Sequence, residues 1–173
     1  EKHKNNLINR LRELDFGKKR KPGMVSFCNT EDPPSVKYTA MKKAMAEEIG
    51  IVFIVEEYDT KTAHEDLEAK VRKYNQEPNI NGIMVQLPVP LELVVFQRDL
   101  LELIDPHKDV DGLTEDGQRY YLPATVKSVT SILETVVPDW KQLKIGVVGS
   151  EGEVGKPLIK LLEQSNLWVK PLK

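Results

Sequence analysis

A single cysteine, Cys28, stands in the 173 residues. Without a second thiol, an internal disulfide and a thiolate cage for zinc are both excluded. Aromatic residues are only 6% of the chain, and no apolar run approaches the ~20 residues that span a bilayer. The net charge is -2, so no global positive field recruits nucleic acid. The one basic run, Lys18-Lys19-Arg20-Lys21, reads as a solvated loop, with an anion patch as the alternative. His3, His64 and His107 lack the spacing of metal ligands. The start, Glu1-Lys2-His3-Lys4, is polar and helical in character, unlike a signal peptide. Together these absences point to a reducing, cytosolic setting with no membrane and no nucleic acid as partner. What is present is 40% hydrophobic and 30% charged residues, the balance of a globular chain.

Helical and strand-like stretches alternate. Leu7, Leu11 and Leu14 recur at helical spacing, with Gly17 to close that helix. Residues 23–29 read as a short buried strand, with Cys28 in its core. A helix is expected over 35–49, closed by Gly50, and a β-branched strand over 51–55. Ala63, Leu67, Val71 and Tyr74 mark one face of a further helix, with Thr60 or Thr62 as its cap. A third strand over 80–86 is stopped by Pro88 and Pro90. A helix over 91–104 and a loop over 105–123 follow, then a helix over 126–137, a strand over 143–149 and a helix over 154–164. Such alternation predicts parallel βαβ units, hence an α/β fold. The boundary is expected near Pro123, separating 1–122 from 123–173. One strand and one helix cannot cover both faces of a parallel sheet, so the second domain is expected to be incomplete. The start also reads as trimmed, opening inside a helix with neither a cap nor an initiator Met.

Several segments carry candidate chemistry. Ser35, Tyr38 and Lys42 are spaced i, i+3, i+7 and share one helix face. A ring there can stack on a flat ligand and an amine can move protons; a surface lysine beside a half-buried tyrosine is the plainer alternative. An amine works near neutral pH only when burial or a nearby cation brings its pKa down from about 10.4. Gln86 stands at the C-terminal end of a strand, where open α/β sheets bind ligands. Its amide can accept from an ammonium and donate to a carbonyl, or merely satisfy loop backbone. Leu87-Pro88 and Val89-Pro90 hold an extended turn, in which either X-Pro bond is a candidate for the cis form. Asp109 and Asp111 precede Gly112, without the spacing or terminal Glu of a calcium loop, and no metal is expected. Gly149, Gly152 and Gly155 follow a strand and open a helix, so backbone can approach a phosphate there. Their spacing is GxxGxxG rather than GxGxxG, and a plain βα loop fits it too.

In order, the segments DPPSVKYTAMK (32–42), NGIMVQLPVP (81–90), PHKDVDGL (106–113) and VGSEGEVGKP (148–157) resemble the FolD-type methylenetetrahydrofolate dehydrogenase/cyclohydrolases across nearly the whole chain. The resemblance implies an N-terminal α/β folate-binding domain and a Rossmann-like nucleotide domain, incomplete here, with one cleft serving two reactions. Hydride leaves 5,10-methylenetetrahydrofolate for NADP or NAD, and water then opens the methenyl product to 10-formyltetrahydrofolate. It makes Lys42 the proton-transfer group, Gln86 its orienter, Tyr38 a stacking surface for the folate and Ser35 a support. Leu87 and Pro88 would line the substrate site and Asp111 would hold the pterin. Gly149, Ser150, Glu151, Val154, Gly155 and Pro157 would form the nucleotide turn. A homodimer is implied as well.

The chain also departs from the pattern. Ser150 and Glu151 stand where many relatives carry Arg and Ser. Losing the arginine removes a partner for a 2′-phosphate and Glu151 repels it, which favours NAD. The family's PCTPxG segment reads Pro123-Ala124-Thr125-Val126-Lys127-Ser128, and its late PGGVGP loop is absent. Two rival expectations are a non-catalytic folate-binding or dimerisation remnant and another two-domain nicotinamide dehydrogenase.

Overall fold

A computed structural model describes residues 2–13, 21–114 and 120–172. Leu14, Gly17 and residues 18–20 of the basic run lie outside the described residues. The chain divides into two compact units, Glu1–Asp109 and Val110–Lys173.

The first unit opens with α1 (Lys2–Glu13) and is built on β1 (Gly23–Asn29), β2 (Val52–Tyr58) and β3 (Gly82–Val85). These strands form a parallel sheet in the order β2-β1-β3. The central strand is deeply buried, with Val25, Phe27 and Ser26 inaccessible and Cys28 almost so. Adjacent strand residues point to opposite faces, and two contacts assign the faces. Met84, level with Ser26 in the register, meets Lys42 of α2 (Pro33–Glu48). Phe27 packs edge-on against Tyr74 of α3 (His64–Gln76) at 6.2 Å between ring centres. The two helices therefore cover opposite faces of the sheet, as parallel crossovers require.

The helix termini follow local chemistry. Asp32 caps α2, its carboxylate accepting from Ser35 N–H at 2.9 Å, with Pro33 and Pro34 in the first turn. At the other end Gly50 adopts φ +92°, donating to Glu47 O while Ile51 N–H reaches Ala46 O. That pair of bonds is the Schellman closure, and glycine takes the left-handed conformation without strain. The expected threonine cap of α3 is not formed. Ala63 is the capping residue, while Thr62 and Asp59 bond each other in the preceding turn. The single helix expected over 91–104 is a 3₁₀ segment, Leu91–Phe96, running into a short α4 (Gln97–Glu102). Phe96 there stacks on His64 at 3.8 Å.

The second unit contains α5 (Ala124–Val136), β4 (Ile145–Val148), α6 (Gly155–Gln164) and β5 (Val169–Leu172), with β4 and β5 parallel. Its core gathers Trp140, Val147 and Leu162, with Leu133, Ile145, Leu158 and Val169 packed around them. β5 is an element the sequence reading does not contain; Pro171 weighs against a strand by propensity, and pairing with β4 overrides that preference. The units part at Asp109–Val110, ahead of the boundary expected at Pro123. Gly112, at φ +62°, explains the difference. A Cβ there would meet Tyr121 O at 2.4 Å and Pro123 Cδ at 3.3 Å, so the chain after Asp109 folds back on the start of α5.

Candidate active site

The sheet order places β2 on one side of β1 and β3 on the other. At such a switch point the loops leaving two neighbouring strands diverge, opening a crevice at their C-terminal ends. The candidate side chains gather there. Gln86 directly follows β3 and is fixed by its own backbone, Gln86 N–H donating to Phe27 O at 2.9 Å. Its side-chain oxygen accepts from Lys42 Nζ at 2.8 Å, and its Nε2 donates to Leu87 O at 2.9 Å. Both halves of the amide are thus engaged, one accepting and one donating. Met84 Sδ lies 3.9 Å from the same Nζ.

Helix α2 faces the sheet with an unusual stripe. Its buried residues are Ser35, Thr39 and Ala46, and Lys42 continues the same i, i+4, i+7, i+11 line. Small side chains let the helix lie close to the strands, and the lysine reaches over the strand ends from that line. Ser35 is 1% exposed, and its hydroxyl approaches Leu87 O at 3.5 Å. Ser35, Lys42, Gln86 and Leu87 are therefore brought together. Tyr38 lies on the same helix but flanks the stripe, 56% exposed with its ring open to solvent. The Leu87–Pro88 peptide is cis.

Asp109 and Asp111 do not share a surrounding. Asp109 is 1% exposed and bridges Ile83 beside β3, while Asp111 is half-buried and belongs to the second unit. The turn before Gly112 breaks the alternation that an extended stretch would have kept.

The glycine turn lies wholly in the second unit. Gly149 takes φ +74°, and a Cβ on Gly155 would meet Gly149 O at 2.1 Å. Bonds from Gly152 N–H to Gly149 O and from Lys156 N–H to Gly152 O close the turn onto α6. Ser150 is 4% exposed and Pro157 is buried, while Val154 is open to solvent. Glu151 projects outward, its side chain 76% exposed and 4.0 Å from Lys156. A backbone this tight, ending at a helix N-terminus, fits a dinucleotide diphosphate.

Two contributors escaped the sequence. Met84, a core methionine by pattern, turns out to lie under Lys42. Asp32 had a legible signal, an Asp-Pro-Pro helix start that holds Ser35 in place.

Known proteins share this fold. The family model described as the tetrahydrofolate dehydrogenase/cyclohydrolase catalytic domain matches residues 1–111. The bifunctional protein FolD of Nautilia profundicola is 33% identical over 97% of this chain and 60% of its own length. That of Bacillus subtilis is 32% identical over 86% of this chain and 54% of its own length. The crystal structure of the bifunctional FolD methylenetetrahydrofolate dehydrogenase/cyclohydrolase from Campylobacter jejuni has a TM-score of 0.88 at 25% identity, over 99% of this chain and 62% of that one. The Trypanosoma brucei FolD structure, a complex with NADP and an inhibitor, also has a TM-score of 0.88 at 25% identity, over 98% and 60%. The chain thus spans a little over half to about three fifths of the length of these relatives. With a matched catalytic-domain model over most of its length and the same fold, this chain belongs to the tetrahydrofolate dehydrogenase/cyclohydrolase family.

Proposed function

We propose that the chain carries the folate chemistry of this family: oxidation of 5,10-methylenetetrahydrofolate and hydrolysis of the methenyl product to 10-formyltetrahydrofolate. The observation that carries this reading is the 2.8 Å bond between Lys42 Nζ and Gln86 Oε1 at the sheet's switch point. Gln86 is a neutral amide, so it fixes the amine's place without adding charge. In the hydrolytic step water bonds to the methenyl carbon and loses a proton. The bond from that carbon to the pterin nitrogen then breaks as the hydroxyl loses its second proton and becomes the formyl carbonyl; the nitrogen takes up one proton, and one is released overall. These transfers pass through a group placed where Lys42 stands. Tyr38 offers its open ring for stacking on the folate, and Asp111 accepts hydrogen bonds from the pterin's amino edge. Ser35, with Leu87 and Pro88, shapes the wall beside the amine.

A bound nicotinamide supplies the hydride acceptor for the oxidative step. Gly149, Ser150, Gly155 and Pro157 form the backbone turn for its diphosphate, with Val154 and Glu151 at the rim. The turn favours NAD, because Ser150 and Glu151 stand where the family pattern carries Arg and Ser, which removes a cation for a 2′-phosphate and adds a like charge. A homodimer in a reducing, cytoplasmic setting belongs to the same reading, on the strength of the family resemblance. Among the described residues no helix is long and apolar enough to cross a membrane.

The direct test is hydrolysis of 5,10-methenyltetrahydrofolate with no nicotinamide nucleotide present. Turnover is expected, because the Lys42–Gln86 pair works without the nucleotide. A protein that transfers hydride but leaves the methenyl compound untouched would be a different nicotinamide dehydrogenase.

A further inference from the structure

The loop leading to Asp111 is tied down by a residue three places before it. Lys108 is half-buried, and its ammonium donates to Tyr74 O at 3.0 Å, Asn75 O at 2.7 Å and Glu77 O at 3.0 Å. An ammonium has three protons, and three carbonyls take them. They belong to the last turn of α3 and to Glu77, which caps its C-terminus, where amide donors run short and the helix dipole favours a cation. The backbone of Lys108 is held as well. Its N–H donates to Asp105 O at 2.7 Å, and its carbonyl accepts from Ile83 N–H of β3 at 2.7 Å. Asn75 secures the other end of the loop, donating to Leu103 O at 2.6 Å and accepting from Asp105 N–H at 2.9 Å. Asp109, the next residue, is buried and bridges Ile83.

We propose that Lys108 is a positioning residue for substrate binding: by pinning this loop to α3 and β3 it fixes where the chain departs toward Asp111. Its protons are committed to α3, so it acts through Asp111 and does not touch the folate. The inference rests on the assignment of Asp111 to the pterin made above.

The test is steady-state hydrolysis of 5,10-methenyltetrahydrofolate by the full chain and its variants. Lys108→Met keeps the aliphatic stem and removes the three donors. It should raise KM about tenfold while kcat stays within about twofold, since a displaced contact weakens binding more than the chemistry at Lys42. Asp111→Ala should show the same split, and the Lys108→Met/Asp111→Ala pair should rise little further, because both act through one contact. Asn75→Ala loosens the other end of the loop and should raise KM in the same direction, which keeps the inference testable if Lys108→Met does not fold. A fall in kcat at unchanged KM, or a lower melting temperature alone, would mark Lys108 as structural and overturn the inference. Additive effects in the double variant would also overturn it. An active wild type whose KM ignores Asp111→Ala would remove the Asp111 assignment, and this inference with it. A wild type with no hydrolysis would overturn the functional reading as a whole.

Discussion

Glu151 shows how much a single side chain can decide. It sits on a turn whose backbone suits a diphosphate, yet its carboxylate projects into solvent with Lys156 as a 4.0 Å neighbour. A phosphate brought to this rim meets like charge, and an exposed lysine offsets it weakly. NAD should therefore bind more tightly than NADP, and Glu151→Ser should narrow the gap chiefly by improving NADP. Calorimetric titration of both nucleotides against both proteins measures this. Tighter NADP binding by the wild type would refute the role given to Glu151. Spacing and strand ends made Lys42 and Gln86 candidates, because helix periodicity and strand ends are local properties, and the family resemblance paired them. Spacing did not foretell Met84, since a thioether under an amine looks like any core methionine until the strand register is known.

Among the elements, α3 does more than cover a sheet face. It offers Tyr74 to Phe27 on one side and its last carbonyls to Lys108 on the other. Tyr74 also donates to Glu56 on β2, which accepts from Lys70 at 2.7 Å. Burial alone would raise the Glu56 carboxyl's pKa. The hydrogen bonds from Lys70 and Tyr74, with the charges of Lys70 and Lys73, outweigh burial and hold it below the usual carboxylate range. Burial and the bond to Glu56 push the Tyr74 hydroxyl up to about 12. A depressed carboxylate stabilises the fold above its ordinary pKa, and that stabilisation is lost as pH falls through the depressed value. Glu56→Gln should thus be less stable than wild type at neutral pH and show a flatter decline on the acid side, followed by thermal melts across the acid range. Identical curves for the two proteins would show that this network does not couple α3 to β2.

At the scale of the molecule, the strand–helix alternation was readable because β1 to β3 are separated by stretches of helical periodicity. Gly50 acts through its nearest neighbours, so the sequence displays it. Features that depend on distant partners stayed hidden. β5 needs β4 to offset Pro171, and the division at Asp109 depends on Gly112 meeting Tyr121 and Pro123. The candidate site followed the same rule: residue types and spacing marked Ser35, Lys42 and Gln86, while the fold alone separated the buried Asp109 from Asp111. The account as a whole rests on Lys42 as the proton-transfer group, and Lys42→Met is its most direct test. The methionine keeps the stem and removes the amine, so hydrolysis of 5,10-methenyltetrahydrofolate should fall by about 100-fold or more. Binding of the same compound should persist. Hydrolysis at the wild-type rate in that variant would contradict the account.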